Sequence, residues 1–201
     1  MASPFSVSIK NKKIKALEEL FTEWAGLNDR QIRIVDGEDC PYYYSERTNC
    51  GMLGAAAYVT EKFISLEEIP IRRRKRRGQA SGGHGRYDIY LFDGTHEYMV
   101  EAKQAWKIKD AEGLLDDAEK QLRKIRKEYW LDIPLAMVFV VVGFKQVDDG
   151  IIEQHTQELD AIKTCGTVHY YPKETRQIRG GGENAKYIYP GISVLMRVVE
   201  R

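Results

Sequence analysis

Apolar residues repeat along this chain with two different periods, and the two periods predict the order of its elements. Repeats of three or four residues indicate helices, which are predicted at 10–25, 45–63, 111–130 and 151–162. We expect the first helix to end at Gly26 and the region of the second to end at Pro70. Alternating or continuous apolar runs predict strands at 87–92, 96–103, 135–142, 168–171 and 192–199. This order predicts an α/β sandwich around a mixed sheet.

The dipeptide Asp93-Gly94 between the first two strands predicts a β-hairpin with a two-residue turn. Such a turn pairs Asp88 with Met99 and puts Glu101 on the diagonal, roughly 7–8 Å away across the strands. Glu101 and Lys103 are two residues apart in one strand, so their side chains project from the same face. Two carboxylates and one amine therefore meet on one patch of the sheet, and carboxylate oxygens are ligands that Mg²⁺ prefers. The alternative is a solvated strand face, on which alternating charges are common.

This charged hairpin resembles that of the PD-(D/E)XK nuclease superfamily, which includes the restriction endonucleases. Asp88 matches the Asp of that family, Glu101 and Lys103 match its Glu-x-Lys, and Tyr87 stands where the family has Pro. The resemblance covers about residues 45–145. It implies a restriction-endonuclease-like three-layer sandwich, in which helices flank a central mixed β-sheet. It also implies a Mg²⁺-dependent deoxyribonuclease, a phosphodiester hydrolase acting as an endonuclease, in which Mn²⁺ substitutes for Mg²⁺.

The resemblance further implies a role for each residue of the motif. The carboxylates of Asp88 and Glu101, with the main-chain carbonyl of Ala102, would hold the metal. Lys103 would position or help deprotonate the attacking water. Many members of the family add a Glu from the helix before the hairpin, which makes Glu46 a catalytic and metal-binding candidate. A Glu in the first turn of a helix also stabilises the helix dipole, so both interpretations of Glu46 stay open.

Two glutamines are accessory candidates for the same site. Gln104 follows the motif directly. Gln121 lies beside the apolar stripe of the next predicted helix, where some members of the superfamily carry a Gln or Lys that points at the site. Surface helices also use Gln freely, which is the alternative interpretation of Gln121.

Six consecutive basic residues precede the hairpin, and a glycine-rich stretch follows them. They predict a mobile loop over about 71–86 that contacts DNA phosphates and adds affinity independent of base sequence. A solvated loop and a localisation signal are the alternatives. The predicted nucleic-acid-binding residues are Arg72, Arg73, Arg74, Lys75, Arg76 and Arg77.

Composition and charge narrow the class of protein further. The 201 residues are 43% apolar and 30% charged, which fits one nuclease-like domain over 1–201 with a sizeable core. The net charge of +1 argues against a protein that coats nucleic acid with its whole surface. The longest apolar run, 133–144, is too short to span a bilayer, and the N-terminus shows no signal-peptide pattern.

Three cysteines are too few for a disulfide framework and indicate a reducing, cytoplasmic location. A zinc site built from Cys40, Cys50, Cys165 and His169 would need spacings that match no familiar motif, so free thiols are expected. The chain has no Gly-Lys-Ser/Thr phosphate loop and no Ser-His-Asp nucleophile elbow. The expected partner is DNA, with a homodimer left open and no membrane. The competing function is a non-catalytic member of the same fold that binds nucleic acid or a protein.

Overall fold

Seven strands form one sheet at the centre of the fold. The computed structural model describes residues 4–72, 84–125, 127–180 and 186–200. The strands are β1 (Phe5–Ile9), β2 (Ile64–Arg72), β3 (His84–Phe92), β4 (Glu97–Ala105), β5 (Ile133–Val140), β6 (Gly166–Tyr170) and β7 (Ile192–Val198). The helices are α1 (Leu17–Ile34), α2 (Glu46–Val59), α3 (Ile108–Arg123) and α4 (Asp149–Asp160). The strand order is β1-β6-β7-β5-β4-β3-β2, and β4 and β5 run parallel while the other neighbours are antiparallel.

Helices cover both faces of this sheet, and each face has its own apolar core. Residues of β5 alternate between the two cores, with Leu135 and Met137 in one and Ala136 and Val138 in the other. Residues of α1 and α2 belong to the first core, those of α3 belong to the second, and α4 adds Leu159 to the second. The chain therefore has a mixed α/β fold. None of the described helices is long and apolar enough to cross a membrane.

The first helix continues through Gly26 to Ile34, so the predicted end at that glycine is wrong. Trp24, Asn28 and Ile32 are all buried and extend one stripe past the glycine. Glycine in a helix interior costs about 1 kcal/mol relative to alanine. The burial of this stripe outweighs that cost.

The second helix begins where the sequence predicts, immediately after Ser45. The Ser45 hydroxyl accepts a hydrogen bond from the Thr48 N–H at 3.2 Å and so caps the helix. A Cβ at Gly54 would lie 3.2 Å from Ser65 Oγ and 3.3 Å from Glu67 Oε1, so glycine allows α2 to pack closely on β2. This packing holds the helix that carries the candidate glutamate against the sheet.

The sequence analysis missed the two edge strands, β1 and β2. Pro70 does not end the region as predicted but lies inside β2, where an edge strand tolerates proline. Glu68 has a positive φ of 54°, which interrupts the period-2 pattern of β2. The other predicted helices and strands are all present, although α3 ends at Arg123, earlier than expected.

Candidate metal centre

The hairpin that carries the motif has a longer loop than the sequence predicts. β3 and β4 pair from Phe92 with Glu97 onward, which leaves four residues in the loop. The predicted two-residue turn is therefore wrong, and the strand register differs from the prediction by two positions. Because this shift is even, every side chain keeps its predicted face. If the ladder is continued by one residue, Asp88 falls opposite Glu101 rather than on its diagonal.

Four residues of the motif form one hydrogen-bonded cluster. The Asp88 carboxylate accepts a hydrogen bond from the main-chain N–H of Ala102 at 2.7 Å. The Lys103 ammonium donates to Glu101 Oε1 at 2.9 Å and to the carbonyl of Ala102 at 2.6 Å. The structure thus brings together Asp88, Glu101, Ala102 and Lys103, which the sequence singled out.

The cluster is largely removed from solvent. The side chain of Glu101 is 4% exposed and that of Lys103 is 20% exposed, while Asp88 is half-buried. Burial alone lowers the pKa of Lys103, but the negative charge of Glu101 and its hydrogen bond raise the pKa, and the net shift is upward. Lys103 therefore stays protonated at neutral pH.

Glu46, the first residue of α2, lies within electrostatic range of this cluster. Burial is the largest cause of a pKa of about 7 for Glu46; the positive charge of Lys103 opposes this rise, and the negative charges of Asp88 and Glu101 add to it. The Glu46 side chain makes no hydrogen bond or ion pair with a described residue. The structure therefore places Glu46 near the cluster without a direct bond to it.

The donor atoms of the cluster fit a hard divalent cation. Within the described ranges, no group of three or more His, Cys, Asp and Glu side chains is arranged to hold a metal, and the three cysteines are free thiols. The donor set here is different, since it consists of the carboxylates of Asp88 and Glu101 and the carbonyl of Ala102. Mg²⁺ is commonly held by one or two carboxylates and completes its shell with water and substrate phosphate oxygens.

The two accessory glutamines have different positions. The amide nitrogen of Asn49 on α2 donates to Gln104 Oε1 at 3.1 Å and to the Ser45 carbonyl at 3.2 Å. Gln104 therefore ties the start of α2 to β4. Gln121 lies near the end of α3, about 20 Å along the helix axis from Ile108. Its accessory role stays a prediction.

The basic run falls mostly outside the described residues. Arg72 is the last residue of β2. Arg73, Arg74, Lys75, Arg76 and Arg77, with the glycine-rich stretch up to residue 83, lie outside the described ranges. The predicted bounds of the loop are wrong, because Ile71 pairs with Gly85 and Arg72 with His84 in the ladder between β2 and β3. The DNA contacts of the basic run and the mobility of residues 73–83 stay predictions.

A second polar cluster, which the sequence analysis missed, contains a serine, a histidine and an aspartate. His169 Nδ1 lies 2.7 Å from Ser193 Oγ, and His169 Nε2 lies 3.2 Å from Asp160 Oδ1. Ser193 Oγ also lies 2.9 Å from the hydroxyl of Tyr171. Ser193 is fully buried, so no substrate can reach its hydroxyl. The cluster joins α4 to β6 and β7 and is structural. The sequence analysis missed it because His169 and Ser193 meet through the register of β6 and β7, which no local pattern reveals.

An aromatic cleft of about 720 Å³ opens where β4 and β5 end. Tyr43, Tyr44, Trp106, Lys107, Tyr187 and Tyr189 are among the residues that line it. The tyrosine run before α2 and the tryptophan after the motif are both visible in the sequence. No local pattern could join them to Tyr187 and Tyr189, which come from a distant part of the chain.

Comparison of this chain with known proteins finds no matching family model, no matching curated protein and no matching solved structure. The interpretation of the site therefore depends on its own geometry and charge.

Proposed function

We propose that this protein is a metal-dependent nuclease with a restriction-endonuclease-like fold, which hydrolyses phosphodiester bonds in DNA. One observation carries the proposal. On one hairpin, the Asp88 carboxylate accepts a hydrogen bond from the Ala102 N–H, and the Lys103 amine donates to the Glu101 carboxylate and to the Ala102 carbonyl, all at 2.6–2.9 Å. A solvated strand face, the competing interpretation, would not bury the Glu101 side chain to 4% exposure.

Each residue of the cluster has a distinct part in this hydrolysis. Asp88, Glu101 and the Ala102 carbonyl hold Mg²⁺, with Glu46 adding a carboxylate directly or through water. When bound, Mg²⁺ polarises the phosphate and lowers the pKa of its water. Lys103 carries a raised pKa, which favours a fixed positive charge over a proton acceptor. The Lys103 ammonium therefore orients the attacking water and offsets the charge that develops on the phosphate.

Cleavage of supercoiled plasmid and circular single-stranded DNA by the full chain tests this proposal. We expect cleavage with Mg²⁺ or Mn²⁺ and none with EDTA. Asp88→Asn, Glu101→Gln and Lys103→Met should each lower the cleavage rate roughly 100-fold or more, since each removes a charge from the reacting centre.

Asp117 and Lys120 provide matched controls, because they form an exposed ion pair of 3.0 Å on α3. Asp117→Asn and Lys120→Met remove the same charges and should leave the rate unchanged. Cleavage that persists in EDTA, or in all three cluster variants, would contradict the proposal. A wild-type chain that binds DNA without cutting it would support the non-catalytic alternative instead.

A further inference from the structure

The aromatic cleft keeps large aromatic surfaces exposed. Trp106 is 43% exposed and Tyr44 is 56% exposed. The ring of Tyr43 packs on the edges of its neighbours, with centroids 5.9 Å from Trp106 and 4.7 Å from Tyr189. Isolated exposed apolar residues are ordinary, but a contiguous exposed cluster of aromatic rings marks a binding surface.

The same cleft has a cationic side chain in its described lining. Lys107 lines it and is also the N-cap residue of α3, where no side chain caps the first turn. The ammonium and the positive end of the helix dipole both attract an anion. No carboxylate is among the described residues that line this cleft, whereas three other clefts in the described part of the chain each have at least two. A ligand with a flat apolar face and a negative charge therefore suits this cleft.

Two chain segments connect the cleft to the candidate metal centre. Tyr44 of the cleft precedes Glu46 by two residues, and Trp106 follows Lys103 by three. The strand rise of about 3.3 Å per residue sets the second spacing at about 10 Å. The bond between Asn49 of α2 and Gln104 of β4 links the two elements that carry these segments.

We propose that the aromatic cleft binds an unpaired base of a nucleic-acid substrate whose backbone runs to the candidate metal centre, so that the protein acts on single-stranded nucleic acid. The inference rests on the proposed function for the nature of the substrate. Every base offers a π face, so stacking on Trp106 and Tyr44 is tolerant of sequence. A base inside a duplex would have to leave its stack before it could enter the cleft.

Binding of a short fluorescein-labelled oligothymidylate in EDTA tests the cleft without any cleavage. Trp106→Ala and Tyr44→Ala should weaken binding about 10-fold, as expected for loss of one base–aromatic stack. Trp106→Phe should keep most of the affinity, and Tyr58→Ala should keep all of it, since Tyr58 is an equally exposed tyrosine at the other end of α2. The wild type should also bind an abasic version of the oligonucleotide about 10-fold more weakly, whereas Trp106→Ala should not distinguish the two.

The cleft proposal is overturned if Trp106→Ala and the wild type bind the single strand with equal affinity. It is also overturned if both proteins lose the same amount of affinity when the oligonucleotide is abasic. Circular dichroism checks that each variant is folded, and Tyr44→Ala provides the test if Trp106→Ala does not fold. Failure of the nuclease proposal looks different. A wild type that shows the expected binding pattern in EDTA, yet leaves the oligonucleotide intact in Mg²⁺, supports the cleft and contradicts the nuclease.

Discussion

The Lys103 ammonium contacts two oxygen atoms that would also coordinate the proposed metal. It donates to the Glu101 carboxylate and to the Ala102 carbonyl. In a buried site, the amine compensates the charge of Glu101 and repels any second cation that approaches the same oxygens. A purely structural ion pair and a metal centre therefore predict opposite effects when the amine is removed.

Replacing Lys103 with methionine should strengthen Mn²⁺ binding while it lowers the cleavage rate. The thioether keeps the length of the side chain but removes the charge that competes with the metal. Isothermal titration at pH 8 should show roughly 10-fold tighter binding than in the wild type, and Lys120→Met should show no change. An affinity that falls or stays the same in Lys103→Met would indicate that these oxygens are not metal ligands.

His155 makes the folded state sensitive to acid. Its side chain is buried between the rings of Phe144 and Tyr171, and neither ring nitrogen has a hydrogen-bond partner among the described residues. Burial, with a smaller contribution from the nearby His169, lowers the pKa of His155 to about 4. Between pH 6.5 and 4, His155 therefore binds a proton in the unfolded chain but not in the folded chain. The unfolding free energy consequently decreases as the pH falls.

The variant His155→Phe should remove this acid sensitivity. From pH 7 to pH 4 the wild type should lose up to roughly 3 kcal/mol more unfolding free energy than the variant, because 2.5 pKa units correspond to about that energy. Urea unfolding at a series of pH values measures the difference. If the unfolding free energies of the two proteins change equally with pH, protonation of His155 does not destabilise the folded state.

At the scale of elements, two glycines have opposite roles. Gly26 lies inside α1, and an added Cβ would meet nothing within 4 Å. Gly191, just before β7, approaches another strand closely, since a Cβ there would lie 2.2 Å from the Tyr170 carbonyl and 2.4 Å from Tyr171 Cδ1. Gly26 is a local weakness of a helix, whereas Gly191 is required by packing.

Alanine at the two positions should therefore change stability in opposite directions. Gly26→Ala should raise the unfolding free energy by about 0.5–1 kcal/mol through helix propensity. Gly191→Ala should lower it by roughly 1–3 kcal/mol or more, because backbone and a ring must move. Urea unfolding measures both variants, and a destabilised Gly26→Ala would contradict a helix that runs through residue 26.

Elements with strong periodic patterns could be predicted from the sequence, and those with interrupted patterns could not. The apolar run of β5 and the start of α2 near Ser45 are local signals, and both predictions are confirmed. The sequence did not predict β2, because Pro70 and Glu68 interrupt the two-residue alternation that is typical of a strand. Only the pairing with β3 in the structure shows that residues 64–72 form an edge strand of the sheet.

At the scale of the whole molecule, the sequence could predict the part of the candidate site whose residues are close together along the chain. Asp88, Glu101 and Lys103 lie on one hairpin, so strand parity alone places them together, even with an error of two in the register. The link from Asn49 to Gln104 and the cleft around Trp106 depend on distant segments. The sequence holds no short-range signal for such contacts.

The proposed function depends on whether the cluster binds a divalent cation, and crystals of the full chain soaked in Mn²⁺ test this most directly. We expect one strong anomalous peak about 2.0–2.3 Å from the oxygens of Asp88, Glu101 and the Ala102 carbonyl, with Lys103 Nζ moved away from Glu101. Mn²⁺ bound elsewhere, or no peak at this cluster while Lys103 keeps its bond to Glu101, would contradict the account.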